Sequence, residues 1–484
     1  MRVSSKVFWS VMGVAAVARL FSMAVLPLAD TSEPRYAEVA RLMAQTNDWI
    51  TPWFEPGVPF WGKPPLAFWA QALSIKLFGV SEFAVRLPAF LAMAALLAMV
   101  YSFARGMFGQ SAARWSALVL ATMLLPLLSA GAVLTDPFLA FAVTLSMLSF
   151  ISARRDGPWY QGLGFFLGLG LGMLAKGPLA VVLIGGVCAG WMLWQRDWRG
   201  PLRALPWGLG IPLAMLVALP WYVAAEFKTP GFLQYFIVGE HFLRFVDSGW
   251  EGDLYGTAHA RALGAIWLDW IGAAAPWSIL IIGAGVLALF RPAARQAVRA
   301  SLADGGRRYL LLWAIAAPAL FTLSGNILWT YVLPSLPAVA LLLGCGLAAW
   351  QPGRFVCLAN RALLAGMLLV PSAAAVLSIQ ALGDPLHFKT EKGLVQAAAA
   401  LRNADQTLYY VGERPFSARY YSAGTAVLLP WDTADLRPFC RGGGMLTAVR
   451  RDRPWPMLAA PGVTARAVYS SKRYTLYEIQ GCAQ

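Results

Sequence analysis

The chain has 484 residues, of which 58% are hydrophobic and only 13% charged, and its mean hydropathy is +0.58. Soluble domains carry about 25% charged residues, so half of the usual solvating surface is missing and a soluble globular enzyme is excluded. Disorder is excluded as well, because 21 Trp, 26 Phe and 15 Tyr supply too much apolar surface for a chain that fails to collapse. The composition is that of an α-helical polytopic membrane protein. Its net charge of +15 fits basic cytoplasmic loops and anionic headgroups, and no nucleic acid partner is expected.

A helix needs about 20 apolar residues to cross a bilayer, and eleven runs of that kind are read in chain order. They cover residues 7–28, 84–104, 113–130, 136–152, 159–174, 177–194, 204–224, 263–290, 308–323, 328–349 and 355–379. The first is read as a retained helix, since Arg19 interrupts it and no small-residue cleavage site follows. Cations occupy every second short loop: Arg2 and Lys6, Arg105 and Arg114, Arg154 and Arg155, Arg196 to Arg203, Arg291 to Arg308, Arg354 and Arg361. The intervening short loops hold only Lys176, which puts the N-terminus in the cytoplasm and the C-terminus outside.

Two long segments, 29–83 and 225–262, fall on the outer side together with the tail. The expected division is a transmembrane domain over 1–380 and a small C-terminal α/β domain over 381–484. In the tail, apolar runs shorten to strand length around Leu408, Val427, Leu446 and Tyr474, with one helix near 391–402. Of the five cysteines only Cys440 and Cys482 lie in this exported region, where a disulfide between them could form.

The first outer loop opens Asp30-Thr31-Ser32-Glu33-Pro34-Arg35-Tyr36-Ala37-Glu38. Such residues cap helices, but acids gathered at a membrane boundary also sit where a polar site can hold them. Lys63 stands before Pro64-Pro65, as a snorkelling cation or a phosphate anchor at headgroup depth. Asp136, before Pro137, looks like an ordinary N-cap yet falls on the same face as Asp30 and Glu33. Glu240, Arg244 and Asp247 are spaced to share one helical face beside His241, and Tyr331 closes the set in the last outer loop. None of the three histidines pairs at zinc spacing; the acids could hold a divalent cation, the metal being unknown, and no other cofactor is indicated.

In order and placement, Glu33-Pro34-Arg35-Tyr36-Ala37-Glu38, Trp61-Gly62-Lys63-Pro64-Pro65, Phe83-Ala84-Val85-Arg86-Leu87-Pro88, Thr135-Asp136, Glu240-His241 with Arg244-Phe245, and Thr330-Tyr331-Val332-Leu333-Pro334 resemble bacterial glycosyltransferase family 39, aminoarabinose (lipid A) transferase type, related to protein O-mannosyltransferases. The resemblance covers about the first 350 residues. It implies a GT-C fold with about 11 transmembrane helices, a periplasmic cavity in the bacterial inner membrane, and a sugar donor carried on polyprenyl phosphate. It further implies catalytic carboxylates among Asp30, Glu33 and Asp136, with Arg35, Tyr36, Lys63, Glu240, His241, Arg244 and Tyr331 binding substrate. Ser32 stands where relatives carry the Asp three residues before the Arg, so Asp30 and Glu33 remain alternatives, and Gly62 replaces a Glu before the Lys.

The expected activity is transfer of a sugar to an outer-leaflet acceptor, lipid A phosphate first. A protein or glycan O-glycosyltransferase of the same fold is the alternative, and a lipid or sugar transporter a more distant one, since transporter sites sit at the midplane.

Overall fold

The computed structural model of the chain describes residues 2–153, 159–247, 250–256, 260–351, 356–383, 388–401, 406–433, 435–440 and 444–480. Each of the eleven apolar runs has a helical counterpart. The first eight helices are α1 (Ser5–Val25), α2 (Ser32–Thr46), α3 (Leu66–Phe78), α4 (Glu82–Thr122), α5 (Leu124–Ser129), α6 (Asp136–Ala153), α7 (Leu163–Lys176) and α8 (Leu179–Gln195). Among the described residues six helices are long and apolar enough to span a bilayer by themselves, and a bent pair would make a seventh.

One expected span takes a different form, and two others meet at a kink. The runs 84–104 and 113–130 are two helices, numbered together as α4, that meet at a kink at Gly109, and the second is followed by α5; the Gly109 φ of 85° lies outside the helical range and is open to glycine without a Cβ clash. The run 263–290 is not one span: Ile266–Ala273 and Ser278–Phe290 meet at 114°, with Pro276 in the break, where it can neither donate a helical hydrogen bond nor let the preceding carbonyl close.

The core is continuous through the helices, with Trp115, Phe150, Phe166, Tyr309 and Trp313 fully enclosed. α6 and α7 approach closely because glycine recurs at 164, 168 and 172 on α7: a Cβ on Gly168 would lie 2.2 Å from Ser146 Oγ and 2.6 Å from the Ala142 carbonyl. The contacts descend α6 as they climb α7, Ser149 at Gly164, Ser146 at Gly168 and Ala142 at Gly172, so the helices are antiparallel. That register sets the first residue of α6 beside the last residue of α7.

Outside the helices, a two-stranded ribbon pairs β1 (Trp53–Glu55) with β2 (Val58–Pro59). The C-terminal region forms a five-stranded mixed sheet from β3 (Leu408–Val411), β4 (Val427–Leu429), β5 (Gly444–Arg450), β6 (Thr464–Ser470) and β7 (Tyr474–Gln480), in the order β4-β3-β5-β7-β6. β3 runs parallel to both neighbours, while β5, β7 and β6 are antiparallel. Four of these strands and the helix Lys392–Leu401 match the sequence expectation; β6, largely exposed and rich in alanine, is the strand it lacks. Cys440 is disulfide-bonded, and Cys482 lies outside the described residues.

The sheet region docks on the first outer loop. Its helix Phe416–Tyr421 packs on α2, whose Ala37, Val39, Ala40 and Met43 are fully enclosed. Around that apolar contact, Glu82 meets Lys392 at 2.5 Å and Glu55 meets Arg414 at 3.0 Å.

Candidate active site

The close packing of α6 on α7 has a chemical result at their shared end. Lys176 Nζ donates to Asp136 Oδ1 at 2.6 Å, with both side chains only 7% exposed. The same ammonium stands 4.5 Å from the centre of the Tyr331 ring, on the face that carries the negative quadrupole.

A second charged cluster comes from the loop after residue 228. Gln234–Leu243 winds as a π-helix, a rare form concentrated at functional sites. Glu240 points inward from it and accepts from Lys63 Nζ at 3.0 Å and from Arg244 at 2.9 Å, while Arg244 also meets Asp253 at 3.2 Å. Burial pushes the Glu240 carboxyl up, but the Lys63 ammonium and the Arg244 guanidinium outweigh it and hold the group at about 2. For Lys63 burial acts downward and Glu240 reverses it, raising the ammonium above its ordinary value. His241 sits between the carbonyls of Phe236, 2.7 Å from Nδ1, and Lys176, 2.9 Å from Nε2; burial lowers its pKa despite them. The ring therefore fastens the π-helix to the end of α7.

Both clusters open into one cavity of about 590 Å³, with an adjoining recess of about 90 Å³. Nine of the ten residues singled out in the sequence line the main cavity: Asp30, Glu33, Arg35, Tyr36, Lys63, Asp136, Glu240, Arg244 and Tyr331. The tenth, His241, lines the recess. Every one comes from a helix end or an outer loop.

The three carboxylates read as catalytic candidates differ in how they are engaged. Asp30 is spent on the sheet region: Oδ1 accepts the Ser417 N–H at 2.8 Å, Oδ2 accepts the Ser417 hydroxyl at 2.6 Å and the Arg473 guanidinium, and the side chain is 1% exposed. Glu33 pairs with Arg86 at 2.8 Å and accepts the Val133 N–H at 3.1 Å. Burial raises the Glu33 pKa, and Arg86 with these hydrogen bonds overcomes that and holds it below the ordinary value. Asp136 alone of the three keeps an oxygen, Oδ2, with no hydrogen bond among the described residues.

The sequence reading passes over Lys176, Asp253, Tyr255, Glu413 and Phe416, which also line the cavity. Lys176 had a signal, being the one cation in an outer short loop. Glu413 and Phe416 had none, since they arrive from the loop after β3, almost 400 residues from Arg35. Among the described residues no group of three or more His, Cys, Asp or Glu side chains is placed to hold a metal ion.

Fold and site together define a polytopic membrane protein of GT-C architecture with a charged cavity at the helix ends. Residues 16–236 match the family described as dolichyl-phosphate-mannose-protein mannosyltransferase. The chain is 29% identical over 381 residues to the undecaprenyl phosphate-alpha-4-amino-4-deoxy-L-arabinose arabinosyl transferase of Erwinia tasmaniensis, covering 76% of this chain and 65% of that relative. It is 32% identical over 354 residues to the enzyme of the same name from Pseudomonas aeruginosa, covering 71% and 60%. The matched part thus spans less than two thirds of these relatives' own lengths. The solved structure of ArnT from Cupriavidus metallidurans bound to undecaprenyl phosphate superposes with a TM-score of 0.78 at 19% identity, over 98% of both chains, and carries the fold. The chain is thus similar to the mannosyltransferase family over somewhat less than half of its length, and to the named aminoarabinosyl transferases over 71% to 76% of it.

Proposed function

We propose that the protein is an integral-membrane glycosyltransferase that moves a sugar from a polyprenyl-phosphate donor to the phosphate of lipid A at the outer face of the bacterial inner membrane. The observation that carries this reading is the meeting of Lys63, Lys176, Arg244 and Tyr331 with Asp136 and Glu240 in one cavity, contributed by widely separated segments. The names of the relatives point to the same donor class. On this reading residues 1–380 hold the site and 381–484 form a periplasmic domain that closes one wall of it.

The chemistry is a displacement at the sugar C1. An acceptor phosphate oxygen forms the new C1–O bond while the C1–O bond to polyprenyl phosphate breaks. The donor is a diester with one negative charge and the acceptor a monoester that is largely dianionic above about pH 6; afterwards the acceptor is the diester and polyprenyl phosphate the monoester. One unit of charge therefore moves toward the leaving phosphate. Cations fixed there stabilise the transition state more than the ground state, and loss of one such donor costs on the order of 10² to 10³ in kcat. Lys63 and Arg244 face the leaving phosphate, with Lys176 and Tyr331 behind them. Asp136, through its unengaged oxygen, orients the incoming group; Glu33 and Asp30 hold the first loop in place around it.

The helix directions support a periplasmic site. α6 runs from Asp136 at the cavity to Ala153, about 26 Å away at 1.5 Å per residue, and in the sequence the cations of a basic loop follow Ala153. Placement at helix ends also favours an enzyme over a transporter with a midplane site. A second reading, transfer to a protein or glycan hydroxyl, is favoured by the mannosyltransferase match over 16–236; Asp136 would then act as general base.

The test is sugar transfer by the reconstituted chain, with labelled polyprenyl-phosphate sugar and purified lipid A. Sugar mass added to the lipid A phosphate supports the first reading. Transfer only to hydroxyl acceptors supports the second, and an inert wild-type protein with both removes the assignment.

A further inference from the structure

The cavity is lined by six carboxylates and four cations, and one of those cations stands outside the ion pairs. Its six lining carboxylates are all paired: Asp136 with Lys176, Glu240 and Asp253 with Lys63 and Arg244, Glu33 with Arg86, Asp30 with Arg473, and Glu413 with Arg450. Of the four lining cations, three are used in those pairs. The fourth, Arg35, has no carboxylate within ion-pair distance among the described residues.

Arg35 is nonetheless held firmly. NH1 donates to the Tyr255 carbonyl at 2.5 Å, and the guanidinium carbon lies 5.2 Å from the Tyr36 ring and 5.5 Å from the Phe416 ring. Nε is buried and has no hydrogen-bond partner. A flat guanidinium fixed between two rings, with one corner anchored and other N–H groups unspent, is preorganised for a planar pair of anionic oxygens. It stands on the first turn of α2, where the helix field has the same sign. Gly256 keeps the approach open, since a Cβ there would come 3.2 Å from NH1.

The site lies apart from the donor end. The small recess shares Lys63, Lys176, Glu240, Arg244 and Tyr331 with the main cavity but none of Arg35, Tyr36, Glu413 or Phe416. We propose that Arg35, clamped by Tyr36 and by Phe416 of the C-terminal region, binds the phosphate of the acceptor. The inference rests on the glycosyl-transfer reading and deepens it by giving the acceptor phosphate its own pole. One cation there against three at the leaving phosphate also fits the direction in which charge moves during the reaction.

The experiment is steady-state kinetics of the reconstituted chain, varying polyprenyl-phosphate sugar and phosphorylated lipid A separately, with enzymatically dephosphorylated lipid A as a competing ligand. Arg35→Gln should raise the KM for phosphorylated lipid A about tenfold or more and leave both the donor KM and the Ki of dephosphorylated lipid A unchanged, with partial recovery in Arg35→Lys. A rise in donor KM with acceptor KM unchanged, or a Ki of dephosphorylated lipid A that rises as much as the acceptor KM, overturns the proposal. Binding of labelled polyprenyl phosphate reports folding. If Arg35→Gln fails to bind it, Phe416→Ala, which frees the guanidinium but keeps its charge, should raise acceptor KM without moving donor KM, and unchanged acceptor KM in that variant overturns the proposal. Failure of the wild type to bind polyprenyl phosphate or transfer sugar would sink the function itself, whereas an active wild type with a normal Arg35→Gln sinks only this inference.

Discussion

Lys176 and Asp136 form a 2.6 Å ion pair at the point where α7 ends and α6 begins, sealed from solvent on every side but the cavity. The pair exists because three glycines let two helices touch, and it places a carboxylate oxygen and an ammonium in the reaction space together.

Removing one member leaves the other buried without compensation, which costs about 3 to 5 kcal/mol. Lys176→Gln should lower the Tm markedly in detergent and reduce turnover. The double variant Asp136→Asn with Lys176→Gln should regain much of the stability and none of the turnover. Recovery of activity in the double variant would contradict the role given to these charges.

Helix approach can be tested without touching a charge. Gly168→Ala places a methyl group against Ser146 and the Ala142 carbonyl, a backbone atom that cannot rotate away. Overpacking of this kind costs about 1 to 3 kcal/mol. The expected result is a lower Tm with turnover reduced because Asp136 and Lys176 move apart; at Gly185, where a Cβ meets nothing within 4 Å, the alanine variant should behave as wild type.

Asp30 and Glu33 should separate by phenotype. Asp30→Asn weakens the bond between the first loop and Ser417 and Arg473, so limited proteolysis should release the C-terminal region sooner, with turnover falling less than in Asp136→Asn. Glu33→Gln strands the buried Arg86 and should cost about 3 to 5 kcal/mol of stability. An Asp30→Asn protein with wild-type protease resistance and no turnover would instead mark Asp30 as catalytic.

The Glu240 carboxyl gives a pH signature. Its folded pKa of about 2 lies below the ordinary 4.5, so the folded state binds its proton less readily than the unfolded chain does. The stability it contributes is complete above about pH 4.5 and disappears as the pH falls toward 2. The Tm of the wild type should therefore drop between those values, and the slope should be smaller in Glu240→Gln, measured by thermal shift in detergent.

Much of this arrangement was legible in the chain. Apolar run length gave the helices, and the acids and cations flanking Pro34, Pro65 and Pro137 marked the ends that carry the cavity. The glycine spacing on α7 was equally visible, although only the packed pair revealed which side chains it juxtaposes. The break at Pro276 was not legible, because hydropathy records how greasy a segment is and not where its backbone turns.

What the sequence determined by itself was the solvent each segment requires, since that follows from transfer free energies that act residue by residue. Tertiary structure alone decided which charges neutralise one another. Asp30, Glu33 and Asp136 look alike along the chain, yet Arg473, Arg86 and Lys176 engage them from 443, 53 and 40 residues away. Electrostatic energy depends on distance in space, and so the lining cation that has no carboxylate partner among the described residues, Arg35, could be found only in the folded protein.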